Sequence, residues 1–313
     1  MNDSPDVFTL AKGLRVLVTA GASGIGRAIS DVLALRGARV HICDVSDDFL
    51  ADYRAAHRDS SVTKADVASE ADVARLFADV KASLGGLDAL INNAGVAGPT
   101  GGVEDIAPGD WRRTIDVCLT GQFLCSHHGV PMLKAAGGGA IVNLSSAAGR
   151  FGYAFRTPYS AAKWGVIGLT QSLAKELGPD NIRVNAILPG IVEGPRMTGV
   201  ITARAKQTDV SFEAMEKTYL DRVSLRRMVT AGDVAATVAY LLSPAGRNIS
   251  GQSLGSMATS RRCEAGRALS SAIEESSEQS GDHRFRFCRS SLGDQFLARG
   301  TRRRVVGSGS SGD

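Results

Sequence analysis

Tyr159 and Lys163 stand four apart in Tyr159-Ser160-Ala161-Ala162-Lys163, a spacing that puts both side chains on one face of a helix. A free phenol ionises only near about pH 10, so it is a poor base at neutral pH. An ammonium one turn away favours the phenolate, and the pair then has the chemistry of a proton donor and acceptor. Ser146, 13 residues before the tyrosine and just past a predicted strand end, offers a hydroxyl that can hold a reacting oxygen. Alone, the Tyr–Lys spacing reads as a solvated helix face. A second constellation changes the balance. Thr19-Ala20-Gly21-Ala22-Ser23-Gly24-Ile25-Gly26 is a run of small residues between a β-branched stretch and a helical pattern. Such a turn lets backbone and helix N-terminus approach a pyrophosphate. Asp44, 18 residues after Gly26, ends the next strand, where a carboxylate can accept both hydroxyls of an adenosine ribose. It would repel a 2′-phosphate, and neither Ser23 nor Val45 offers a cation to offset it, which predicts NAD over NADP. The competing reading is that Asp44 caps the following helix, a task for which Asp47 is an equal candidate.

The elements that must position these groups alternate. Strand signals at 15–19, 39–43, 61–65, 87–91, 140–144 and 183–188 are separated by helical periodicity over 24–36, 69–84, 119–133 and 159–177. This predicts an α/β fold with a doubly wound, Rossmann-like parallel sheet, whose ligands sit at the carboxyl ends of the strands. Residues 1–255 form the predicted domain. Within it, 193–230 breaks the rhythm, with two short amphipathic patterns and no strand, and reads as a lid over a ligand. Residues 150–156 and 193–217 are the expected substrate pocket, with Phe151, Tyr153, Phe155 and Arg196 as candidate contacts. Arg196 can serve an anionic group or simply the surface.

Taken in order, the glycine-rich turn, Asn92-Asn93-Ala94-Gly95, Ser146, the Tyr–Lys pair and Pro189-Gly190 resemble the short-chain dehydrogenase/reductase family over residues 12–255. The resemblance implies an NAD-dependent oxidoreductase acting on an alcohol or carbonyl carbon. Tyr159 would be general acid and base, and Ser146 would orient the substrate oxygen. Lys163 would favour the phenolate and hold the nicotinamide ribose. It further implies cofactor contacts at Gly21, Ser23, Gly24, Ile25 and Gly26, at Asp44, Asp66 and Val67, at Asn93 and Ala94, and at the Val192 backbone. Asn92 and Asn93 can equally tie adjacent strands. Family members commonly pair the helices that here cover 119–133 and 159–177, so a homodimer or homotetramer is expected.

Two positions depart from the family pattern. Ala20 stands where the motif's first glycine belongs, tolerable if its φ stays negative, with Gly21 free to absorb strain. Cys118, in Ile115-Asp116-Val117-Cys118-Leu119, replaces the asparagine that the resemblance assigns to a water relay reaching the lysine. A thiol is a weak donor and acceptor. This lends weight to a second reading, a nucleotide-binding regulatory protein that kept the fold and lost turnover.

Composition excludes other classes. With 43% hydrophobic and 22% charged residues and a net charge of +4, the chain reads as a globular protein with no polyanionic partner. Its five cysteines form no metal-ligand spacing, no metal is expected, and His127-His128 reads as packing and solvent. The acidic start has no long apolar run, so a cytoplasmic protein with no membrane segment is expected. Residues 256–313 contrast with the rest, holding ten arginines, no lysine and twelve serines. A basic nucleic-acid-binding tail is one reading. The favoured one is a shifted reading frame: codons for 257–264 exist that, read two bases later, give Gly-Asn-Val-Glu-Thr-Leu and a stop. A disordered tail is expected either way.

Overall fold

The computed structural model describes residues 6–58 and 60–256. Residues 257–313, on which the tail and reading-frame expectations fall, lie outside the described residues.

In chain order the elements are β1 Arg15–Thr19, α1 Gly24–Leu35, β2 Arg39–Asp44, α2 Asp47–Ala56, β3 Ser61–Lys64, α3 Glu70–Leu84 and β4 Ala89–Asn92. There follow α4 Pro108–Ile115, α5 Gly121–Ala135, β5 Gly139–Leu144, α6 Thr157–Leu177, β6 Ile182–Pro189, α7 Pro195–Gln207, α8 Phe212–Asp221, α9 Ala231–Leu242 and β7 Ser253–Ser256. The strands form one sheet in the order β3-β2-β1-β4-β5-β6-β7, and every pairing is parallel.

Side chains alternate across the sheet and serve two cores. Val16 and Val18 of β1 and Ala89 and Ile91 of β4 face a core closed by Ile29 and Leu33 of α1, Tyr53 of α2 and Val234 and Val238 of α9. Leu17 and Leu90, from the same strands, face the other, closed by Leu76 and Phe77 of α3, Cys125 and Leu133 of α5 and Leu177 of α6. Apolar residues on both faces are what a sheet covered on both sides requires, each buried Leu or Ile stabilising by roughly 1.5–3 kcal/mol. The chain winds outward through β2 and β3, then returns to lay β4 against the other edge of β1. That reversal opens a crevice at the carboxyl ends of β1 and β4.

The 193–230 excursion holds α7 and α8, whose own small core is Ile201, Ala205 and Met215. A parallel bridge between Val192 and Val229 joins its two ends.

Candidate functional site

The glycine-rich turn sits in the crevice, and its glycines serve different ends. A Cβ on Gly26 would lie 2.0 Å from the Ala20 carbonyl oxygen, and one on Gly21 would lie 2.6 Å from Ile42 Cγ2. Both are needed for turn, helix and strand to pack. Gly24 is exposed, with φ +53 and nothing within 4 Å of its missing Cβ, so it faces the open crevice. Ser23, at the N-cap of α1, makes no side-chain capping bond, which leaves the first-turn N–H groups turned outward. Ile25 packs against the core beneath.

The condition set for Ala20, a negative φ, is not met: φ is +49, and Gly21 does not absorb the strain. For an L-residue this conformation costs roughly 1–2 kcal/mol. Asn93 holds it, its Nδ2 donating to the Thr19 and Ala20 carbonyls at 3.0 and 3.1 Å. The backbone N–H groups of Asn93 and Ala94 both donate to Thr19 Oγ1 at 3.0 Å. Asn92 donates to Asn143 Oδ1 at 2.9 Å. Of the two readings left open for these asparagines, tying strands together is thus the work their amides do here.

Asp44 ends β2, buried to 7% exposure, and accepts from the Ser46 N–H at 3.2 Å. Its neighbour on β3 is Lys64, but that ammonium is paired with Asp47. The cap of α2 is the Ser46 hydroxyl, so neither Asp44 nor Asp47 is needed for it. Asp66 accepts from the Ala68 N–H at 3.0 Å and pairs with Arg113 at 2.9 Å. Val67 is buried beside it. At Val192 the bridge to Val229 uses the Ile191 carbonyl and the Glu193 N–H, turning Val192's own polar groups the other way.

At the carboxyl end of β5 the three catalytic candidates converge. Ser146 starts a short turn and accepts from the Ala148 N–H at 3.2 Å, while the Ala148 carbonyl accepts from Ser160 Oγ at 2.9 Å. This couples Ser146 to the first turn of α6, which carries Tyr159 and Lys163. Ser145 is spent on structure: it is buried and donates to the Lys163 carbonyl at 2.7 Å. Lys163 is 3% exposed, and its Nζ donates to the Leu144 carbonyl at 2.6 Å while lying 5.8 Å from the centre of the Tyr159 ring.

Cys118 lies in a π-helical turn, residues 116–120, inserted between α4 and α5. Its fully buried thiol closes on Val96 from both sides, accepting from the N–H at 3.4 Å and donating to the carbonyl at 3.5 Å. A Cβ on Gly95 would be 3.6 Å from both Cys118 Sγ and Lys163 Nζ, so the two groups flank one spot. Gln122, one turn on, was not singled out from sequence. Its Nε2 donates to the same Leu144 carbonyl at 3.1 Å, and its buried Oε1 has no partner among the described residues. His128 stacks on Phe77 and His127 tilts against Phe123, and no metal-binding cluster occurs among the described residues.

The expected pocket segments meet. Tyr153 and Tyr219 join the 150–156 loop to α8 through their hydroxyls at 2.8 Å, and burial pushes the Tyr153 phenol upward. Arg204 of α7 covers the Phe155 ring at 3.9 Å. Phe151 is half-buried in the same loop. Arg196 donates to the Gly95 carbonyl at 3.2 Å and approaches Tyr159. Arg156 was missed from sequence, since arginines are mostly exposed, yet it is 4% exposed and stacked between Tyr153 and Tyr159.

The model of the family described as Enoyl-(Acyl carrier protein) reductase matches residues 19–256. The cis-4-hydroxycyclohexanecarboxylate dehydrogenase of Sinomonas cyclohexanicum is 39% identical over 232 residues, 73% of this chain and 89% of that protein. Among solved structures, NAD+-bound xylitol dehydrogenase superposes with a TM-score of 0.75 at 29% identity, covering 78% of this chain and 97% of the other. A variant of actinorhodin polyketide ketoreductase with NADPH does so with a TM-score of 0.73 at 33% identity, covering 78% and 95%. The chain belongs to the short-chain dehydrogenase/reductase family of oxidoreductases.

Proposed function

We propose that this chain is an NAD(H)-dependent alcohol dehydrogenase or ketone reductase with Ser146, Tyr159 and Lys163 at the chemistry. The observation that carries the reading is the buried Lys163 ammonium, held by one carbonyl and aimed along α6 at Tyr159. In oxidation Tyr159 takes the proton of the substrate hydroxyl, and in reduction it returns one to the carbonyl oxygen. Ser146, fixed by its link to α6, donates to that oxygen and steadies the charge that develops on it. Lys163 sets its side-chain nitrogen 5.8 Å from the centre of the Tyr159 ring and would hold the nicotinamide ribose. A nicotinamide, when bound, supplies the hydride acceptor or donor.

The crevice fits such a cofactor. The open Gly24 and the uncapped first turn of α1 suit a pyrophosphate. Asp44 suits the ribose hydroxyls of NAD, and Asp66, Val67, Asn93, Ala94 and Val192 line the remaining path. Lys64, the neighbour of Asp44 on β3, pairs with Asp47 rather than with Asp44, which leaves the Asp44 carboxylate to repel a 2′-phosphate. The substrate is a small secondary alcohol or its ketone. The chain acts in the cytoplasm as a homodimer or homotetramer, for which exposed Trp111, Phe123 and Trp164 on α4, α5 and α6 supply apolar surface.

Hydride exchange between NAD+ and a panel of cyclic and open-chain secondary alcohols tests the reading. Turnover should fall by on the order of 10²-fold or more in Tyr159→Phe while NADH binding persists. Near-normal turnover in that variant refutes the mechanism, and NADH binding with no exchange by the unmutated chain favours the regulatory reading. Asp44→Ala should narrow the preference for NADH over NADPH; tighter NADPH binding by the unmutated chain contradicts the cofactor assignment.

A further inference from the structure

Three cations surround the Tyr159 ring. Lys163 Nζ lies 5.8 Å from its centre, and the guanidinium carbons of Arg156 and Arg196 lie 5.0 and 6.0 Å away. Two of these charges are not explained by proton transfer. Among the described residues, neither arginine forms an ion pair with a carboxylate. Arg196 has one contact to a neutral acceptor, the Gly95 carbonyl, and is otherwise exposed. Arg156 donates to the Ala97 carbonyl, is 4% exposed, and its buried Nε has no partner. A buried guanidinium without a counter-charge is costly, and its unmet N–H adds to the cost. An unmet buried donor of this kind calls for an explanation, and the anionic group of a ligand supplies one.

We propose that the substrate of this site carries a carboxylate, that Arg196 binds it as a fork, and that Arg156 provides positive field beneath it. The inference rests on the oxidoreductase reading for the location of the alcohol, since Tyr159 marks where the reacting oxygen must lie. Planar guanidinium matches carboxylate with two parallel N–H···O bonds, so it selects an anion by geometry as well as charge. Arg196 sits near the start of α7, on the excursion whose Tyr219 and Arg204 meet the 150–156 loop, whereas α1 and the glycine turn are the elements proposed for the cofactor's phosphates. A hydroxy acid would therefore supply the missing counter-charge as it binds. Its neutral analogue would leave both arginines unpaired.

The test uses the full chain saturated with NADH and compares cyclohexanecarboxylate with cyclohexanecarboxamide by titration calorimetry. It pairs this with turnover of 4-hydroxycyclohexanecarboxylate against its carboxamide. The acid should bind about 10- to 100-fold more tightly than the amide and show a similar advantage in kcat/KM. In Arg196→Gln the advantage of the acid over the amide should disappear, and NADH affinity should not change. Arg196→Lys, which keeps the charge and loses the fork, should fall between. Equal binding of acid and amide by the unmutated chain overturns the proposal. So does loss of NADH affinity in Arg196→Gln, which would give that arginine to the cofactor. Turnover of neutral alcohols without acid preference removes the carboxylate site and leaves the oxidoreductase reading standing. Acid-selective binding without hydride exchange does the reverse.

Discussion

The crevice has two banks, built differently. On the nucleotide bank, the turn at 19–26, β1, β2 and β4 are locked by backbone: Gly21 and Gly26 admit no Cβ, and Asn93 grips two successive carbonyls. On the substrate bank, the 150–156 loop meets α7 and α8 through side-chain tips, the Tyr153–Tyr219 hydroxyls and Arg204 over Phe155. The first bank packs into a core shared by the whole sheet, whereas the excursion encloses three buried apolar residues of its own. Backbone-locked geometry tolerates almost no substitution and fixes one ligand shape. Side-chain contacts can be exchanged at small cost, which suits the bank that must recognise a particular substrate.

The contrast breaks most sharply at glycine. Gly26→Ala would drive a methyl to 2.0 Å from the Ala20 carbonyl oxygen, a backbone atom that cannot swing away. We expect destabilisation of about 3 kcal/mol or more and at least a tenfold loss of NADH affinity. Gly199→Ala, in the middle of α7 with nothing within 4 Å, should be neutral or stabilise by up to about 1 kcal/mol. Thermal melts and NADH titrations of the two variants make the comparison, and similar effects at both sites would erase the distinction drawn between the banks.

Acid sensitivity should also divide unevenly. His41 of β2 lies buried among hydroxyls, with Ser61 at 2.7 Å and Ser83 at 3.0 Å from Nδ1 and Thr63 at 3.1 Å from Nε2. Burial pushes the imidazole down to about 4, with Asp79 pulling weakly the other way. The native state thus stays neutral where the unfolded chain, titrating near about 6.5, takes up a proton. The stabilisation is complete above that value and is lost as pH falls toward about 4, up to roughly 3 kcal/mol. His41→Gln should flatten the dependence of Tm on pH across that window, and an unchanged slope would remove His41 as its cause. Removing one latch on the other bank should do less. Tyr219→Phe deletes the 2.8 Å hydroxyl contact and should cost about 1 kcal/mol, read as a several-fold rise in KM with kcat held. A loss confined to kcat would place Tyr219 in the chemistry instead.

Legibility from sequence follows the same divide. The alternating strands and helices, the glycine turn, Asp44 at a strand end and the Tyr–Lys pair on one helix were readable because each is a local pattern. The extent of the excursion was readable too, as a break in rhythm that became α7 and α8. Helix α2 is marked only as the element after Asp44, and α4 and α9 have no marked pattern, although Thr230 and Asp233 form a capping box at the start of α9 that sequence displays. Arg156 and Gln122 were not readable, because their burial is decided by β5, α6 and the 95–98 loop meeting across long stretches of chain. Cys118 was read as a lost relay member, but the π-helical turn that aims its thiol at Val96 has no sequence signature. The dihedral of Ala20 is not legible for a related reason: the carbonyl of this residue is held by Asn93, 73 positions away.

That dihedral supplies the smallest test. Both banks hold a non-glycine residue in the left-handed region, Ala20 at φ +49 and Phe155 at φ +64. Glycine adopts this conformation without steric cost, so Ala20→Gly removes strain and sacrifices only a methyl group. The gain is reduced by the greater freedom of glycine in the unfolded chain, leaving about 1 kcal/mol and a rise in Tm of roughly 2–4 °C. NADH affinity should stay within about twofold, because the turn keeps its backbone. Phe155→Gly relieves the same kind of strain but strips the ring that Arg204 covers at 3.9 Å, so it should bring no gain. If Ala20→Gly lowers Tm, the methyl packs more than the turn strains. If Phe155→Gly raises it, the substrate bank is held by its backbone after all, and the two banks are built alike.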